Sequence, residues 1–134
     1  MQKIIIDKLY SYQTVVKSRR GGYSKYRTND YHKYEHEITN QLDKSLKIND
    51  CEPIVVKIDF FLKIPASYSQ KKKNALNGKY CTKKKDLDNL AKLVNDIIFN
   101  YYGWKDEFIV DLHLRKFWDI EKEWFEITIE NKKN

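Results

Sequence analysis

Residues Ile54 to Ile64 constrain the fold more than any other stretch of the chain. Val56, Ile58, Phe60, Leu62 and Ile64 alternate with Lys57, Asp59 and Lys63. An extended backbone gathers the first set on one face and the second on the other, as in a half-buried β-strand. The turn residues Asn49 to Pro53 precede it and Pro65 ends it. A strand of this kind needs partners beside it and a cover over its apolar face.

Leu90, Leu93, Val94, Ile97, Ile98 and Tyr101 recur at helical spacing and predict an amphipathic helix from Asp88 to about Asn100, with Gly103 as its stop. Tyr31, Tyr34, Ile38, Leu42 and Leu46 predict another, from about Thr28 or Asn29 to Lys47. Lys3 to Leu9, with Ile4, Ile5 and Ile6, reads as a short strand of the continuously apolar kind found at the centre of a sheet. Val110, Leu112 and Leu114 alternate with Asp111, His113 and Arg115. After a polar turn at Asp119 to Glu123, Trp124 to Ile129 alternates again, which predicts an antiparallel hairpin. The order β-α-β-α-β-β describes an α+β fold, a mixed sheet packed with two helices. With 134 residues, 41% of them hydrophobic and 14% aromatic, and no repeat or linker, residues 1–134 are expected to form one domain.

A balance of 26 basic to 19 acidic residues leaves a formal charge of +7, which favours a polyanionic partner. The charge is concentrated. Lys71, Lys72, Lys73, Lys79, Lys83, Lys84 and Lys85 fall between Ala66 and Lys85 with no acid among them. A run like this is either a solvated loop or a loop ordered on a phosphate backbone by counterion release. Arg19, Arg20 and Arg27, with Gly21, Gly22, Tyr23 and Tyr26, make a second basic stretch that suits either base stacking or plain solvation. Cys51 and Cys81 lie far apart and without a CxxC, so neither a zinc site nor a disulfide framework is expected. His32 and His36 sit four apart on a helix and could in principle bind a metal, but they do not stand in an HExxH arrangement. No apolar run is long enough for a signal peptide or a membrane span, and a soluble, cytoplasmic protein with no membrane partner is expected.

Lys83-Lys84-Lys85-Asp86-Leu87-Asp88-Asn89-Leu90 joins the lysine run to the predicted helix. Two readings are open for the acids: Asp86 and Asp88 cap the helix, or they hold a divalent cation beside a phosphate, with Lys92 one turn on. Lys92 has two readings as well, because Asp88 and Asp96 both lie four residues away and suit a helical salt bridge.

Asp86-Leu87-Asp88-Asn89-Leu90, Lys92, the aromatic-Gly-aromatic region around Gly103, then Asp106 and Ile109-Val110-Asp111 resemble the signature of the RusA family of Holliday junction resolvases. The resemblance is specific over about Lys83 to Arg115. It implies a homodimeric, Mg²⁺-dependent endodeoxyribonuclease, often phage-derived, with Mn²⁺ as an alternative metal. Such an enzyme acts on four-way DNA junctions in a bacterial or phage-infected cell and resolves them by symmetric paired cuts in recombination and repair. It implies Asp86, Asp88 and Asp106 as catalytic and metal-binding acids and Lys92 as the catalytic lysine. Asp106 is flanked by Lys105 and Glu107, so Glu107 is the alternative third acid, and Asp111 is either a supporting acid or a strand residue. Lys71, Lys72, Lys73, Lys83, Lys84, Lys85, Arg19, Arg20 and Arg27 are the expected DNA contacts. Two further readings compete: a non-enzymatic nucleic-acid-binding module and a nuclease for flaps or other branched substrates.

Overall fold

The structure is a computed structural model that describes residues 2–9, 29–82 and 87–132. The described elements are β1 (Gln2–Ile6), α1 (Asn29–Thr39), β2 (Ile54–Lys63), α2 (Gln70–Leu76), α3 (Leu87–Tyr102), a 3₁₀ turn (Asp106–Phe108), β3 (Ile109–Asp119) and β4 (Trp124–Asn131). The α+β class and the order of strands and long helices are as expected. A third helix, α2, is added.

The four strands lie in the order β1-β4-β2-β3. β2 pairs in parallel with β3 and antiparallel with β4, so the last two strands are not the hairpin that their alternation suggested. β2 lies between them because it has the most apolar surface to cover. Val56, Ile58, Phe60 and Leu62 are buried on one face. On the other, Phe61 stacks between Trp124 of β4, with ring centroids 4.0 Å apart, and Phe117 of β3 at 5.4 Å. The link from β3 to β4 crosses the end of β2, a step of two strand spacings or about 10 Å. Asp119 shapes that link. Its carboxylate accepts from the amides of Glu121 (2.7 Å) and Lys122 (3.0 Å) and from the Trp124 indole (3.0 Å). Partial burial opposes the charge, but these donors and Lys122 outweigh it and hold the carboxyl below its usual range.

β1 is an edge strand, paired antiparallel with β4. Ile4 and Ile6 are buried while Ile5 is 48% exposed, so the apolar run alternates after all and is not that of a central strand. Helix α1 ends at Thr39, earlier than expected. The Gln41 amide donates to the carbonyls of Glu37 and Lys8, and its oxygen accepts from the Asp7 amide, which turns the chain away from the helix and ties it to β1. Leu42 and Leu46 still reach the core, and that is why the periodicity ran on past the helix.

Helix α3 joins β2 to β3 over the apolar face. Leu90, Leu93, Val94, Ile97, Ile98 and Phe99 are all buried, each contributing about 1.5–3 kcal/mol by leaving water. It stops in a Schellman turn: Gly103 (φ +71°) donates to the Asn100 carbonyl, Trp104 donates to the Phe99 carbonyl, and the Trp104 ring meets the Phe99 ring edge-on at 5.6 Å. Replacing Gly103 meets no steric neighbour within 4 Å, so Gly103→Ala isolates the cost of the left-handed backbone. Urea unfolding is expected to show a loss of about 1–2 kcal/mol.

Candidate active site

Asp88 and Lys92 occupy the first turns of α3 and are both exposed. Four residues apart, they share one helix face, while the opposite face is held by the core. A helix anchored in this way fixes its exposed residues in place, and its N-terminus favours anions through the free amides and the dipole. Lys92 has a polar or electrostatic interaction within the chain. Lys92→Ala is expected to cost less than about 0.5 kcal/mol by urea unfolding if that contact is only a helical ion pair; a much larger loss of junction cleavage would mark a role in the reaction.

Asp106 and Glu107 are exposed in the 3₁₀ turn beyond the other end of α3. From Asp88 to Tyr102 the helix rises about 21 Å at 1.5 Å per residue. The chain turns back only at β3, after Asp106. Trp104 stays on the last turn, stacked on Tyr102 with ring centroids 4.2 Å apart, and Ile109 pairs with Ile54 at the start of β2. One chain therefore does not bring Asp88 and Asp106 together. Asp111 is near the same far end and pairs with His113 at 3.0 Å. Among the described residues, no three His, Cys, Asp or Glu side chains stand close enough to hold a metal ion. One copy's described donors thus do not fit the metal that the motif implies.

Asp86, Lys83, Lys84, Lys85, Arg19, Arg20 and Arg27 lie outside the described residues. Lys71, Lys72 and Lys73 are described, and they are not in a loop but on α2. Ser69 caps this helix by accepting from the Lys72 amide, and Gly78 with φ +80° follows its end. The Ser69 cap and the Asn77-Gly78 stop were the available signals, hidden by the charge of the run. Lys71 and Lys72 are exposed, Lys73 is half-buried, and the Lys72 ammonium lies 4.1 Å from the centre of the Tyr68 ring.

The family model for the endodeoxyribonuclease RusA matches residues 10–130. The chain belongs to the RusA family. No curated protein matches it. Membership makes the chain an endodeoxyribonuclease and implies Holliday junction resolvase activity. The match spans every described helix and all of β2 and β3, so the positions of Asp88, Lys92 and Asp106 on this fold belong to a RusA-type domain. No described helix is long and apolar enough to cross a membrane.

Proposed function

We propose that the protein resolves Holliday junctions in DNA recombination and repair as a homodimer, by metal-dependent, symmetric, paired phosphodiester hydrolysis. Mg²⁺ is the proposed cofactor, with Mn²⁺ able to replace it, because a site built only of carboxylates suits a hard cation. Asp86, Asp88 and Asp106 are proposed as the acids of the site, with Glu107 the alternative to Asp106, and Lys92 as the lysine that stabilises charge developing on the phosphate. The observation that carries this reading is the placement of Asp88 and Lys92 together on the solvent face of a helix whose other face is in the core. A side chain kept in water at such a rigid position contributes little to stability and is well placed for chemistry.

Lysines 71 and 72 on α2, with the lysines between it and α3, are proposed to hold the DNA backbone as it approaches that helix. Phosphate contacts of this kind orient a duplex without reading its sequence. A junction has approximate two-fold symmetry, and two equivalent sites are what paired cuts on it require.

Asp88→Asn is expected to keep the affinity for a synthetic four-way junction and to lower Mg²⁺-dependent cleavage by at least about 100-fold. Wild type and variant are compared on a junction, a flap and a linear duplex. Preference for the flap would move the substrate, and a variant that cuts like the wild type would remove Asp88 from the site.

A further inference from the structure

Four aromatic rings stand in a row across the face of the sheet opposite α3. Trp124 of β4 stacks on Phe61 of β2, Phe61 on Phe117 of β3, and Phe117 on Tyr80, with ring centroids 4.0, 5.4 and 5.1 Å apart and planes within 22° of parallel. The two inner rings have both faces covered. At one end of the row, Trp124 has the Lys122 ammonium 5.5 Å from its ring centre and the Asp119 carboxylate on its indole nitrogen. At the other end, Tyr80 has one face on Phe117 and is 66% exposed. No ring or cation among the described residues covers its second face.

This open ring is held in place. Gly78 donates to the Trp118 carbonyl (3.0 Å), Trp118 to the Lys79 carbonyl (2.9 Å) and Cys81 to the Lys116 carbonyl (3.0 Å), which ties the backbone on both sides of Tyr80 to β3. The next residue, Cys81, is buried. Arg115, fixed by Asp59 through bonds of 2.7 and 2.8 Å, lies 5.3 Å from the Phe117 ring centre and also interacts with the Tyr80 hydroxyl. A ring contributes to the fold by the area it buries, so the outer face of Tyr80 adds little to stability. An ordered aromatic face left in water is what a nucleobase stacks on.

The surroundings select that occupant. Residues 66–82 contain four lysines and no acid, and Lys71, Lys72 and Lys79 among them are exposed. A stacking face among cations suits a polyanion that carries aromatic rings, which is a nucleic acid. The topology agrees. Helix α3 delivers the chain to the start of β3, where Ile109 pairs with Ile54. It therefore begins at the other end of the sheet, the end at which Tyr80 stands beside Phe117.

We propose that Tyr80 stacks on an unpaired base of branched DNA, extending the aromatic row by one ring. This rests on the reading of the protein as a junction nuclease. Inside a linear duplex both faces of a base are covered by its neighbours, and exposing one costs unstacking and unpairing; at a branch that cost is lower. Every base has a ring face, so the contact distinguishes branched from linear DNA without reading sequence.

The test irradiates a four-way junction that carries 5-iodouracil on either side of the branch, bound to the protein without metal, and maps the cross-link by peptide mass. The cross-link is expected on Tyr80, kept on the same residue in Tyr80→Phe and lost in Tyr80→Leu, which still covers Phe117. Tyr80→Leu is also expected to bind the junction at least about fivefold more weakly and linear duplex unchanged, because the phosphate contacts are intact. Equal losses on junction and duplex overturn the proposal, as does a cross-link that persists at the branch in Tyr80→Leu. A free Tyr80→Leu that sediments as a smaller species than the wild type also overturns it, by placing the ring between copies of the chain. The wild-type cross-link decides even where a variant fails to fold. A wild type that cuts the junction without cross-linking through Tyr80 removes this contact and leaves the proposed function; one that cross-links through Tyr80 and never cuts supports the contact and removes that function.

Discussion

Parallel strands cannot be joined by a tight turn, and the parallel pairing of β2 with β3 therefore needs a long crossover. Helix α3 is that crossover, and its burial gives it a fixed position and length. Nearly everything else of interest depends on it. It covers the apolar face of the sheet, it holds Asp88 and Lys92 at one end, and it delivers the chain to the 3₁₀ turn with Asp106 at the other. The Schellman turn at Gly103 completes the device by ending the helix sharply and locking Trp104 onto it.

The energies are unequal. Six buried side chains on α3, at about 1.5–3 kcal/mol each, outweigh anything the exposed acids and lysine contribute to the fold, since a carboxylate at a helix start is worth about 0.3–1 kcal/mol. Stability therefore leaves Asp88 and Lys92 nearly free to be chosen for chemistry. Val110 and Leu112, exposed on β3, add little to the core either.

How much of this was legible in the sequence varied with the physics. Alternation at Ile54 to Ile64 and helical spacing at Leu90 to Tyr101 are local patterns that the fold obeys directly, and both elements were placed within a residue or two. Neighbour order in a sheet is not a local pattern. Val110 to Leu114 and Trp124 to Ile129 alternate equally well as a hairpin or with β2 between them, and what decides is the stacking of Phe61 between Phe117 and Trp124. The isoleucines of β1 look the same on an edge or in the centre until Ile5 is seen in water. In the lysine run, charge hid a short helix whose cap at Ser69 was plain to read. At the site, the motif named Asp88 and Asp106 and the periodicity gave the helix between them, but where the chain goes after Gly103 is not a local pattern, and the structure puts the two acids beyond opposite ends of α3.

The central claim is that Asp88, held in water at the start of a helix whose other face is in the core, serves the chemistry and not the fold. The direct measurement is Mg²⁺-dependent cleavage of a synthetic four-way junction by Asp88→Asn, with thermal unfolding of the same sample. The variant is expected to melt like the wild type and to cut at least about 100-fold more slowly. A folded variant that cuts like the wild type would contradict the account.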